Sequence, residues 1–310
     1  MNEICVAGAA ILDAAVRPVM PEVFQKGSAA ADGIRLTTGG DAMNEATVLA
    51  RLGHSPMLIT KLGDDDAARL IEAHCAREGI TLHAARDADM PTGVNVVLVD
   101  DRGERAFMTD PKGSLRHLPK ADILRAMETQ AFESVRIFCL ASMFVAFDLG
   151  AEDMAEVFEQ AKARGKLVCA DTTKPKHGET ARDIADALRR LDIFFANREE
   201  GAMLTGETQP ERIAEALTDA GVKTAALKLG ADGCLIRSGS RSLRVPALKD
   251  VRCVDTTGAG DTFAAAFLSA KLRGKDLDEC ARTANLAAGL CAEHLGATAY
   301  KMDVPRILKG

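Results

Sequence analysis

The chain has 310 residues, 47% of them hydrophobic and 27% charged, and a formal net charge of −6. That balance fits one large globular α/β domain with a sizeable core, and the charge, spread without a basic block, excludes nucleic acid and an anionic membrane as expected partners. The longest apolar run, around residues 137–147, is too short to span a bilayer, and zero Trp with a single Tyr removes the aromatic platform that single-stranded nucleic acid needs.

Met1-Asn2-Glu3 leads straight into an apolar run over residues 4–9, without the basic segment of a signal peptide, so a cytoplasmic protein is expected. Short apolar runs bounded by polar or turn residues recur at 57–62, 137–141, 166–170, 193–196 and 224–229 and read as buried parallel strands. Amphipathic helical patterns alternate with them over 42–52, 67–78, 151–164, 184–190, 210–220, 262–273 and 277–294. Gly53, Gly79, Gly165, Gly221 and Gly274 sit just past five of these helices, where a left-handed residue closes a C-terminus. The alternation predicts a three-layer α/β/α sandwich around a doubly wound, mostly parallel sheet.

Two stretches break the rhythm. Residues 33–38, after an irregular 16–32, and residues 93–99 with 104–108 alternate like strands, the last two as a hairpin around Asp100-Asp101-Arg102-Gly103. With no helix to cover them they predict a small sheet projecting from the core edge. It is a lid if a ligand site lies beneath it and an ordinary β-excursion otherwise. The chain thus reads as a single domain over 1–310 with a discontinuous β lid from about 14–38 and 92–110. Eight cysteines without a C-x-x-C pair, and six histidines without metal-ligand spacing, predict buried free thiols in a reducing compartment.

Two motifs carry chemistry. Gly39-Gly40-Asp41-Ala42-Met43-Asn44 opens the first long helix. The glycines permit close approach of a backbone or ligand, Asp41 is a candidate N-cap, and the Asn44 amide suits a polyol hydroxyl. Near the other end, Asp255-Thr256-Thr257-Gly258-Ala259-Gly260-Asp261 runs from a loop into a helix N-terminus, where free amides and the helix dipole favour an anion. Asp261 is either the group that takes a hydroxyl proton beside that anion or a plain first-turn helix charge. There is no G-x-x-x-x-G-K-[ST], and Gly258-Ala259-Gly260 lacks the third glycine of a dinucleotide fingerprint, so neither a P-loop nor a Rossmann site is expected.

Together these signatures, in this order, resemble the ribokinase (PfkB-type) carbohydrate kinases over essentially the whole chain. Further matches are Ala7–Asp13, Asn197-Arg198-Glu199-Glu200, Lys228–Gly233 and Asn285. The resemblance implies transfer of the γ-phosphoryl of ATP to an alcohol, with Asp261 as base and the backbone of Gly258, Ala259, Gly260 and Asp261 as anion hole. It places substrate hydroxyls at Asp13, Gly39, Gly40 and Asn44, and ATP at Asn197, Lys228, Gly230, Gly233 and Asn285. Mg²⁺ falls to Glu200 through water, and an activating monovalent cation such as K⁺ to Asp255 and Thr257. Read without the resemblance, Asn197 and Glu200 are a helix N-cap and a solvated acid. Tyr300 stands where ribokinases carry a small polar residue.

For the acceptor, Phe107–Lys112 and Asp171–Pro175 lack the arginines that relatives acting on 2-keto-3-deoxygluconate place near its carboxylate, with Lys112 and Lys174 the remaining point charges. A small neutral sugar or sugar alcohol is therefore expected. A nucleoside or 2-keto-3-deoxygluconate is the alternative on the same fold, and a non-catalytic ligand sensor the alternative of another class. Bare lid strands also imply a homodimer through the lid, as in many relatives.

Overall fold

The computed structural model describes residues 1–20, 22–100 and 105–309. In chain order the strands are β1 (Ile4–Ala7), β2 (Ile11–Arg17), β3 (Gly33–Gly39), β4 (Pro56–Leu62), β5 (Thr81–Arg86), β6 (Val94–Val99) and β7 (Arg105–Thr109). They continue with β8 (Ile137–Met143), β9 (Leu167–Thr172), β10 (Ile193–Asn197), β11 (Thr224–Lys228), β12 (Cys234–Ser238) and β13 (Arg241–Val245). Nine form one sheet in the order β13-β12-β11-β10-β9-β8-β1-β4-β5, parallel from β11 to β5 and closed at the other edge by an antiparallel hairpin. The other four form a separate sheet, β3-β2-β6-β7.

Strand alternation divides the core in two. Ile4 and Val6 point to one face of the main sheet, Cys5 and Ala7 to the other, and all four are fully buried. The first face is covered by helices Asp41–Arg51, Asp66–Glu78, Ala259–Leu272 and Leu277–Ala292, the second by helices that include Lys120–Met127, Ala151–Ala163 and Pro210–Asp219. The sandwich expected from sequence is the one observed. One reading changes in kind. Helix Ala259–Leu272 is buried almost all round and so carries no polar stripe, because it lies between the Asp41–Arg51 and Leu277–Ala292 helices as well as on the sheet. Phe263 and Phe267 meet Phe195 of β10 edge-on, at 6.3 and 5.4 Å.

The five helix-end glycines all have positive φ. The lid strands are found, and β2 begins at Ile11, earlier than the boundary near residue 14 that the sequence gives. The hairpin turn at 101–104 lies outside the described residues. All eight cysteines are free, seven of them buried and Cys253 exposed.

Gly40 is the junction between the small sheet and the helix Asp41–Arg51. Its φ is +89°, and a Cβ there would sit 2.5 Å from Ala9 O, so the chain can turn from β3 into the helix only without a side chain. Gly40→Ala should lower stability by about 2–4 kcal/mol, adding a clash to the left-handed strain. Gly165→Ala, with φ +73° and nothing within 4 Å, should cost only about 1–2 kcal/mol. Urea midpoints at unchanged m-value measure the difference, and equal losses would refute the packing account.

Candidate active site

In a doubly wound sheet the carboxyl ends of the strands open into a crevice. Here that crevice is a cleft of about 650 Å³, lined at the strand ends by Ser142, Asp171, Asn197 and Lys228 and on the helix side by Asp41, Gly260 and Asp261. The N-termini of helices Asp41–Arg51 and Ala259–Leu272 both face it, and Asn44 Nδ2 donates to Asp261 Oδ2 at 2.7 Å across 217 residues of sequence. The two signature motifs therefore form one site.

Gly258, at φ +75°, caps the second helix without any side-chain cap and packs on Ala297. Of the amides read as an anion hole, Ala259 N–H is directed back to Thr256 O at 3.2 Å, a correction to its expected role. Among the described residues, the Gly260 and Asp261 amides have no acceptor within the chain, so the open donors are one residue further along. Lys228 Nζ lies close by, within 3.4 Å of where a Gly260 Cβ would stand, and bonds both carboxylate oxygens of Asp171 at 2.7 and 2.8 Å.

Sequence reasoning missed Asp171, Asp41 and Glu45. Asp41 is the first helical residue, with Gly40 as the N-cap, so its side chain is not spent on capping and lines the cleft. Five carboxyl groups, Asp41, Glu45, Asp171, Glu200 and Asp261, thus surround Lys228, the only basic residue lining the cleft among the described residues. Burial, then the charge of Asp171, lifts Asp41 to about 6. Burial lifts Glu200 to about 7 against the pull of Lys228. Burial also holds Glu45 and Asp261 well above the ordinary range, the latter further raised by Asp41 and opposed by its bond to Asn44. Burial would neutralise Lys228, but Asp171 and Glu200 outweigh it and hold the ammonium charged.

Asn197 and Glu200 form a reciprocal capping box: Glu200 N–H donates to Asn197 Oδ1 at 2.9 Å, and Asn197 N–H to Glu200 Oε2 at 2.7 Å. The cap is real, yet Glu200 is buried rather than solvated, and both residues line the cleft. Among the described residues no three acids, histidines or cysteines form a metal cage. A site with one or two carboxylates suits Mg²⁺, which keeps its waters and shares phosphate oxygens. The cleft is also lined by the apolar Leu248, Val251, Ala288, Gly289 and Ala292, with Leu248 and Val251 packed at Gly289. Gly230 and Gly233 line it too, and so does Asn285, while its Nδ2 holds Val245 O and Pro246 O, both at 3.0 Å.

Asp13 lies over Gly39, where any Cβ would strike its carboxylate. Asp255 accepts from the amides of Thr257 at 2.8 Å and Gly296 at 2.7 Å. The Cys291 thiol lies 3.7 Å from both Thr257 O and Ala297 O, and the Tyr300 ring stacks on His294 at 4.6 Å.

A raised carboxyl pKa in the folded state makes ionisation a liability that is absent below the unfolded value. For Glu200 that liability grows as pH rises from about 4.5 to about 7 and is complete above it. Glu200→Gln keeps the cap acceptor and removes the charge. The melting-temperature gain of the variant over the parent should be near zero at the low end of that window, widen through it and then level off; a gap independent of pH would contradict the assignment.

The pfkB family carbohydrate kinase model matches residues 1–303. The chain is 31% identical over 250 residues to an "Uncharacterized sugar kinase" of Archaeoglobus fulgidus, covering 80% of this chain and 96% of that protein. It is 28% identical over 296 residues to the 2-dehydro-3-deoxygluconokinase of Dickeya dadantii, covering 90% and 93%. The structure of Arabidopsis thaliana ribokinase complexed with ribose and ATP superposes with a TM-score of 0.81 at 26% identity, covering 100% of this chain and 98% of that one. A whole-length family match, a shared fold and two signature motifs joined in one cleft lead to the same statement: the chain belongs to the pfkB family of carbohydrate kinases.

Proposed function

We propose that the protein transfers the γ-phosphoryl of ATP to a hydroxyl of a small neutral sugar or sugar alcohol. The observation that carries this reading is the 2.7 Å bond from Asn44 to Asp261, which sets the acceptor-side turn beside the helix N-terminus that would face the phosphoryl group. Asp13, Gly39, Gly40 and Asn44 hold the acceptor, and Asp261 orients the attacking hydroxyl and takes its proton late, as a loose transition state allows. The Gly260 and Asp261 amides, the Gly258 turn and Lys228 face the charge on the moving phosphoryl. Glu200 and Asp41 would hold Mg²⁺ through water, and the ion would supply charge neutralisation for phosphate oxygens in a cleft rich in carboxyls. The purine of ATP occupies the apolar part of the cleft beside Gly230, Gly233 and Asn285, with Asn197 at its phosphate end.

Lys174 is more than half exposed, pairs with Glu199 at 2.7 Å and is not among the residues lining the cleft, which favours a neutral acceptor over a keto-deoxy acid. We assign no K⁺ to Asp255 and Thr257. Backbone amides and the Cys291 thiol already tie this turn, and the Tyr300 hydroxyl is buried beside it. The small sheet acts as a lid. Its outer face shows Ile34, Leu36 and Met108, each more than half exposed, which a second copy of the chain would cover. Unpaired thiols fit a cytoplasmic location.

Asp261→Asn keeps size and one hydrogen bond but removes the base. Steady-state assays should show kcat lower by roughly 10² or more with sugar KM little changed. Near-parental kcat would mean that another group takes the proton. Leu36→Asp should turn a dimer into a monomer by light scattering, and a parent protein that is already monomeric would refute the lid interface.

A further inference from the structure

The lid sheet carries a polar row of which the motifs contain only Asp13. Strand register sets Thr37 of β3, Asp13 of β2, Asn95 of β6 and Thr109 of β7 side by side. Residues opposite each other share a face, so all four lie on the face of Asp13, while Leu36, Ala14, Val96 and Met108 form the apolar row behind. The foot of β6 is locked in that register, since a Cβ on Gly93 would come within 2.7 Å of Ile11 Cγ2 and 3.0 Å of Leu115.

The row has a defined polarity. Thr109 Oγ1 donates to Asn95 Oδ1 at 2.8 Å, which occupies the carbonyl end of the amide and leaves the NH₂ end to donate. Next to it, roughly one strand spacing or about 4.8 Å away, Asp13 is an acceptor. An acceptor and a donor at that separation match adjacent oxygens of a vicinal diol: one hydroxyl donates to Asp13, and its neighbour accepts from Asn95. The row contains no cation, and the Asp13 carboxylate repels a substrate carboxylate. The next row outward, Arg35, Ala15, Val97 and Phe107, has its one cation on an exposed side chain.

We propose that Asn95, fixed by Thr109, is a specificity-determining residue that reads the hydroxyl next to the one held by Asp13. It selects neutral sugars with a vicinal diol over deoxy sugars and 3-deoxy sugar acids. This rests on the sugar-kinase reading above.

The test compares the parent enzyme, Asn95→Ala and Thr109→Val on a neutral sugar, its 2-deoxy and 3-deoxy analogues, and 2-keto-3-deoxygluconate. The ratio of kcat/KM between substrates is read, because it is unaffected by any loss of folded enzyme. The parent should prefer the neutral sugar over at least one deoxy analogue by about tenfold or more. Asn95→Ala should collapse that ratio towards one, chiefly through KM of the intact diol, and Thr109→Val should move it the same way by less. A ratio unchanged in Asn95→Ala, or a parent that prefers the 3-deoxy acid, overturns the proposal while leaving the kinase reading standing. A parent inactive on every sugar overturns the kinase reading itself.

Discussion

A single hydrogen bond, Asn44 to Asp261, joins two helix N-termini that the chain reaches 217 residues apart. Each helix brings the positive end of its dipole to the same point, and each arrives by way of a glycine at positive φ, Gly40 or Gly258. The bond engages one carboxylate oxygen of Asp261 and ties the Gly39–Asn44 turn to the Gly258–Asp261 loop. The buried aromatic contacts of Phe195 with Phe263 and Phe267 hold the second helix to the sheet and so set the height of Asp261 above the strand ends.

That geometry has an electrostatic consequence. Four carboxyls share the cleft with one lysine, a fifth, Glu45, lies buried behind them, and burial drives several of them towards the neutral form. Such an arrangement is costly for a fold and useful to an enzyme whose substrate arrives with a divalent cation, because cationic charge then meets acceptors already in place. The Lys228–Asp171 pair holds one positive charge close to Gly260 of the Gly258–Asp261 loop.

Much of this was legible in the sequence. Fully buried strands such as β8 announce themselves as apolar runs, and helix-end glycines announce the helices. What escaped had weak local signals. The β12–β13 hairpin is short and carries Arg237, Arg241 and Arg244, and β5 is a half-exposed edge strand. The apolar girth of helix Ala259–Leu272 follows from its three neighbours, which no window of sequence contains. At the site, the glycines and Asp261 stood out because their spacing is itself the signal. Asp171 and Asp41 did not: a lone Asp at a strand end or in a helix first turn acquires meaning only from the lysine and carboxyls brought to it by folding. The Asn95 row depends on register, which alternation alone leaves open by two residues.

The central claim is that Asn44 and Asp261 act as a unit, and a double-mutant cycle measures it most directly. Single variants Asn44→Ala and Asp261→Asn and their combination would be compared by kcat at saturating sugar, where the contact of Asn44 with the acceptor shows in KM instead. The account predicts that the kcat of the double variant is hardly lower than that of Asp261→Asn alone, since Asn44 acts on turnover through the carboxylate that is already gone. Losses that multiply in full would show that the two residues work independently, and would contradict it.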